Sequence, residues 1–229
     1  MPGLFITGTD TDVGKTYVAA LIARTLVAKG RRVGVYKPVA SGCVVRDGQL
    51  VSTDAEALWE AAGRPGEMKH VCPQRFAAPL APHLAARAED KSLDADLMRS
   101  GLDYWRERSD IVIVEGAGGL MSPLGDEEYV ADLAADFGLP LVVVAANRIG
   151  VINHVLQTLI AAAAFGDGLP VAGIVLNDTR PNLPSDPSRA SNRTEIALRA
   201  VSPVLAEAAW DATGFESPVD WWKLAGGVP

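Results

Sequence analysis

Gly8-Thr9-Asp10-Thr11-Asp12-Val13-Gly14-Lys15-Thr16 decides the fold. Before it, Leu4–Thr7 is a short apolar run. After it, Val18, Leu21, Ile22 and Leu26 recur at helical spacing, which predicts a helix over about Gly14–Lys29 with Gly30 as its stop. A strand, a glycine-bounded loop and a helix opening on Gly-Lys-Thr form an anion cradle. The loop and the helix N-terminus turn backbone N–H groups toward a polyphosphate. In such a cradle Lys15 reaches the β- and γ-phosphates and the Thr16 hydroxyl binds Mg²⁺. Five residues separate the two glycines, where the common pattern has four.

The same architecture continues along the chain. Arg32–Lys37, Ile111–Glu115, Leu141–Ala146 and Val171–Leu176 read as further strands, rich in Val, Ile or Leu and with little polar alternation. Strands covered on both faces have that composition, so the sheet is expected to be parallel. Helices are expected over Asp54–Ala62, Leu93–Arg108, Glu127–Phe137 and Ile152–Phe165, with a last one capped by Ser191 or Asn192. Strand–helix alternation predicts a single doubly wound α/β domain over residues 1–229, mostly parallel, with helices on both faces. Residues 181–191, polar and proline-rich, are expected to be a loop. Gly214–Pro229 has little pattern beyond Trp221 and Trp222, for which packing is the expected role.

Composition narrows the function. Hydrophobic residues make up 48% and charged residues 21%, which excludes intrinsic disorder. With 21 Lys+Arg against 28 Asp+Glu, the net charge of −7 argues against a nucleic-acid partner. No apolar run is long enough to cross a bilayer. Cys43 and Cys72 form no C-x-x-C pair, and the three histidines lack zinc-site spacing. These features predict a cytoplasmic protein without a membrane partner.

Two more segments carry chemistry. In Tyr36-Lys37-Pro38, proline restricts Lys37 to extended geometry at the carboxyl end of the second strand. Open α/β sheets bind ligands along that edge, so Lys37 is a candidate to face the transferred phosphate opposite the first loop. In Ile111–Gly119, Glu115 follows an apolar strand beside glycines that permit close approach. Mg²⁺ takes one or two protein carboxylates. Glu115 is the first candidate and Asp54, near the start of a helix, the second. A dinucleotide fingerprint is the rival reading there, but position 121 is Met121, not glycine.

Taken together, GTDTDVGKT (Gly8–Thr16), YKPVASG (Tyr36–Gly42), VEGAGG (Val114–Gly119), Pro82-His83, Ile149–His154 and Asn177-Asp178 resemble the dethiobiotin synthetases, P-loop NTPase-like enzymes. The resemblance implies ATP- and Mg²⁺-dependent ring closure of 7,8-diaminononanoate with CO₂, through a carbamate and a carbamic–phosphoric anhydride. It implies that Lys37 and Lys15 are catalytic. Asp12, Val13, Gly14, Lys15, Thr16, Tyr17, Glu115, Gly118 and Asn177 would bind nucleotide, with Asn177 facing adenine. Thr16, Asp54 and Glu115 would surround the metal. Thr11, Ser41 and Gly118 would hold substrate. Gly150, Val151 and Asn153 would reach the substrate carboxylate in the other subunit's site of a homodimer.

The chain departs from the family's pattern twice. Asp12 stands where a Glu is common, and the late Gly-x-Ile-Pro segment is replaced by Leu205-Ala206-Glu207-Ala208-Ala209-Trp210, which makes 205–229 a divergent C-terminal segment. Two alternatives share the phosphate loop. A cobyrinate-synthetase-type ATPase would lack its usual glutaminase domain at this length. A partition-type switch would need a lysine among positions 9–13, and none is there.

Overall fold

A computed structural model describes residues 1–181 and 186–228. Strand β1 (Gly3–Gly8) leads into helix α1 (Lys15–Ala28) and β2 (Val33–Tyr36). Then come β3 (Val39–Ala40), β4 (Val44–Arg46), β5 (Gln49–Val51), α2 (Thr53–Ala61), α3 (Met68–Val71), β6 (Gln74–Arg75), α4 (Pro82–Arg87), α5 (Ala95–Ser100) and α6 (Asp103–Arg106). The chain returns to the sheet as β7 (Ile111–Gly119) and alternates through α7 (Val130–Phe137), β8 (Leu141–Ala146), α8 (Val151–Ala164) and β9 (Val171–Asn177). It ends with α9 (Arg189–Ala197), β10 (Val204–Ala208) and α10 (Trp221–Leu224).

Six strands form a parallel sheet in the order β10-β9-β8-β1-β7-β2. The four residues of β2 and the six each of β1 and β8 are buried, because helices cover both faces. Val18, Leu21, Ile22 and Leu26 of α1 seal one side. These strands run the same way, so Gly8, Tyr36, the end of β7 and Asn177 reach one edge of the sheet. Among the described residues no helix is long and apolar enough to cross a membrane.

The five expected strands are present, and the sheet has a sixth. β10 (Val-Leu-Ala-Glu-Ala) has helix-favouring composition, but pairing with β9 overrides it, with Ala208 opposite Asn177. The helix expected over Leu93–Arg108 is two helices. Tyr36 explains the break: its hydroxyl donates to the Met98 carbonyl at 2.9 Å, with that of Leu97 at 3.2 Å. A side chain at Gly101 would meet the same hydroxyl at 2.3 Å.

The helix expected from Glu127 starts at Val130, because Leu124 and Gly125 donate to the Glu128 carbonyl and hold that stretch as a turn. The last long helix starts at Arg189, ahead of both expected caps. Asn192 lies inside it, buried, and donates to Asn147 Oδ1 at 3.0 Å, so its amide serves tertiary contact instead of the helix end. Of the loop expected over 181–191, residues 182–185 lie outside the described residues and 189–191 are helical. Trp221 is buried at the start of α10, and Trp222 lies under the Arg31 guanidinium at 3.8 Å.

Candidate active site

The loop between β1 and α1 is shaped by its second glycine. Gly14 has φ of 88°, a left-handed conformation open to glycine, and it precedes the helix directly. It also passes so close to Asn177 that an added Cβ would lie 2.0 Å from the amide nitrogen. Asn177 donates that nitrogen to the Val13 carbonyl at 3.0 Å, which ties the loop to the end of β9. Lys15 folds back and donates to the Asp10 carbonyl at 2.9 Å. Its ammonium then stands within the rim of the loop.

Facing this loop is a buried ion cluster. Lys37, 4% exposed, donates to Glu115 Oε1 at 2.6 Å and approaches Asp54 at 3.1 Å. Glu115, 1% exposed, also accepts from the Thr16 hydroxyl at 2.8 Å. Its second oxygen is buried with no hydrogen-bond partner among the described residues. Burial disfavours the Lys37 ammonium, but Glu115 and Asp54 outweigh it and hold the pKa above the ordinary lysine value. Asp54 is half exposed; burial pushes its carboxyl up, and Lys37 more than reverses this, leaving it below the usual range. For Lys15, burial dominates and lowers the pKa, against the pull of Glu115.

Both parts open on one cleft of about 1030 Å³. Of the residues singled out from the sequence, Thr11, Asp12, Gly14, Lys15, Thr16, Tyr17, Lys37, Ser41, Asp54, Glu115, Gly118 and Asn177 line it. Val13 is buried behind the loop and takes part through its carbonyl. Gly118 has φ of 75° and leaves no room for a Cβ, which would fall 2.3 Å from Ser122 Oγ. Gly150, Val151 and Asn153 are not part of the cleft wall. They form the start of α8, with Gly150 and Asn153 exposed. The Val151 side chain belongs to the core, and its N–H donates to the Arg148 carbonyl at 3.1 Å.

Several wall residues carry no sequence signal of their own for a site: Thr179 and Asp211 at one end, Pro79 and Leu80 at the other. Asp178, quoted with Asn177 in the Asn-Asp pair, lines the cleft as well. Trp210 closes the segment that replaces the family's Gly-x-Ile-Pro, and it reaches the cleft wall just after β10.

This arrangement can bind a polyphosphate on the loop and place a second cation beside it, with oxygen ligands for a divalent metal between the two. A family model described as an AAA domain matches residues 2–213. An ATP-dependent dethiobiotin synthetase of Rhodopirellula baltica is 43% identical over 88% of this chain and 82% of its own. One of Anaeromyxobacter dehalogenans is 44% identical over 92% and 91%, and one of Escherichia coli O157:H7 is 36% identical over 93% and 92%. Among solved structures, chloroplast FtsY of Physcomitrella patens aligns with a TM-score of 0.52 at 18% identity, covering 98% of this chain and 64% of that one. FtsY of Elizabethkingia anophelis in complex with GDP aligns at 0.54 and 14%, covering 98% and 62%. These two likenesses concern the fold alone.

Proposed function

Since the chain belongs to the ATP-dependent dethiobiotin synthetase family, we propose that the cleft between the phosphate loop and the Lys37 cluster carries out that family's reaction. The protein converts 7,8-diaminononanoate, CO₂ and ATP into dethiobiotin, ADP and phosphate. The observation that carries the assignment to this cleft is the juxtaposition of Lys15 on its loop with Lys37 at the next strand end.

One substrate amine attacks CO₂ and loses a proton, forming a carbamate. A carbamate oxygen then attacks the γ-phosphorus and ADP leaves. The second amine attacks the carbonyl carbon of the resulting anhydride, phosphate departs, and the cyclic urea closes. The chain's own task is to bring two anions within bonding distance in a shielded site. Loop N–H groups and Lys15 hold the triphosphate. Lys37 and Ser41 hold the carbamate, and Gly118 lets the backbone lie against the substrate. Lys37 stays protonated near neutral pH because its carboxylate neighbours favour the cation, so it neutralises charge and does not act as a base.

Mg²⁺ suits the donor set. Thr16, Asp54 and Glu115 offer oxygens alone, and the orphaned second oxygen of Glu115 lies buried beside them. When bound, the ion neutralises phosphate charge during transfer. Asn177 fits the base end: its nitrogen is committed to Val13, and its buried oxygen is left to accept from an N–H donor such as an exocyclic amine. A cytoplasmic homodimer is part of the same reading, with the start of α8, where Gly150 and Asn153 are exposed, meeting the substrate carboxylate across the interface.

The deciding experiment measures dethiobiotin formation from diamine, bicarbonate, ATP and Mg²⁺. Product is expected only when all four are present, and ATP hydrolysis should stay low until diamine and bicarbonate are both added. Vigorous ATPase activity without them would favour the switch alternative. The shared site has its own test. A Lys15→Ala subunit mixed with an Asn153→Asp subunit should regain part of the activity lost in each alone, because one of the two sites is then assembled from unaltered halves. Absence of recovery in verified heterodimers would refute exchange of residues between subunits.

A further inference from the structure

Helix α9 carries a polar side chain into the interior. Asn192 is 2% exposed, and Ile196, one turn on, belongs to the same apolar cluster as Val151 and Val155 of α8. A buried amide is costly unless its hydrogen bonds are made. The nitrogen of Asn192 donates to Asn147 Oδ1 at 3.0 Å and to the Arg148 carbonyl at 3.4 Å. Both partners belong to the turn that joins β8 to α8.

That turn is held from three directions. Asn147, 8% exposed, donates its N–H to the Asn177 carbonyl at 2.8 Å, which moors the turn to the end of β9. The Arg148 carbonyl also accepts from the N–H of Val151, the first residue of α8. Ahead of α9, Asp186 accepts from the Ile149 N–H at 3.0 Å. Arg148, Ile149 and Gly150 are exposed, and Gly150 has φ of 92°. An exposed turn through a left-handed glycine has little packing of its own, so the bonds to Asn192 and Asp186 supply its constraint.

We propose that Asn192 is a positioning residue for the diamine. It fixes the Asn147–Gly150 turn, and with it the start of α8 that meets the substrate carboxylate in the other subunit's site. The proposal rests on the reading of a homodimer whose sites are shared between chains. Asn192 is not part of the cleft wall of its own subunit. Removing its amide leaves the buried Asn147 Oδ1 without its donor, an unfavourable state that the turn relieves by moving toward water. The carboxylate then loses a preformed site.

The test measures diamine kinetics for wild type, Asn192→Ala and Asn192→Ser, with AMPPNP affinity by calorimetry. Asn192→Ala should raise the diamine KM by about tenfold, within the scale of an anion's gain at a helix N-terminus. Turnover at saturation should change by less than about twofold, as when uniform binding is lost, and AMPPNP affinity should not change. Asn192→Ser keeps a shorter donor and should lie between the two. Heterodimers isolated by two tags separate positioning from mere support of the fold. With Lys15→Ala in one subunit, only the other subunit's phosphate loop works. If Asn192→Ala shares the Lys15→Ala subunit, the working site borrows an altered α8 start and its KM should rise. If Asn192→Ala lies in the other subunit, the working site borrows an unaltered start and its KM should be normal. The same comparison runs with Asn192→Ser should Asn192→Ala not fold. The reverse pattern, an equal KM in both heterodimers, or an unchanged KM in the altered homodimer would overturn the proposal. An Asn153→Asp homodimer with a normal diamine KM would instead remove the shared-site reading on which the proposal stands.

Discussion

Lys37→Gln is expected to lower dethiobiotin turnover by about 10²-fold or more at saturating ATP, the scale seen when a preorganised electrostatic donor is removed. Lys37 lines the same cleft as the phosphate loop and is linked to Thr16 of that loop through Glu115. Its ammonium is held at 2.6 Å from Glu115 and 3.1 Å from Asp54, which fixes its position in the cleft. Glutamine keeps a donor but not the charge, so two repelling reactants lose one of their counter-ions. The substitution also strands Glu115, 1% exposed, without its closest cation. Breaking a buried pair costs roughly 3–5 kcal/mol of stability, so melting temperature must be recorded with turnover. A variant that stays folded at the assay temperature and turns over at a near-normal rate would refute the assignment.

Gly14→Ala should reduce nucleotide affinity by about 30-fold or more. A left-handed conformation costs a non-glycine residue about 1–2 kcal/mol, and Gly14 has φ of 88°. The added Cβ would also lie 2.0 Å from the Asn177 amide nitrogen, so the bond from that amide to Val13 must break or the loop must turn away. Losing that bond adds about 0.5–1.5 kcal/mol. Gly30→Ala is the control. Gly30 has φ of 77°, and a Cβ added there would meet nothing within 4 Å, so it shares the backbone strain but not the contact. Titrations of both variants with AMPPNP should show the loss in Gly14→Ala alone. Equal affinity in the two would mean that the coupling of loop to Asn177 has no bearing on binding.

Local signals made much of this protein legible in advance. Gly8–Thr16 specifies its strand–loop–helix unit within one continuous stretch, because the glycines, the lysine and the apolar periodicity of α1 all act over a few residues. The β-branched runs of the inner strands are equally local. Pro38 places Lys37 directly after the end of β2, whereas Glu115, expected to follow its strand, lies inside β7, which pairing with β1 extends to Gly119. Where local preference and long-range pairing conflict, sequence reading failed. Val204–Ala208 has the composition of a helix and becomes a strand because β9 offers an open edge. The periodic helix breaks near Gly101 because a tyrosine from another strand takes up its carbonyls.

The amino-acid order by itself determined the phosphate cradle, the strand-and-helix alternation and the residue types able to neutralise a phosphoryl transfer. Only the tertiary structure decided the strand order β10-β9-β8-β1-β7-β2, which sets the strand of Glu115 between those of the loop and Lys37 and brings Trp210 to the far end of the same cleft. The physical reason is range. Turn geometry and helical periodicity arise between near neighbours, whereas the meeting of Lys37 with Glu115, or of Gly14 with Asn177, is created by sheet pairing and core burial between segments far apart along the chain.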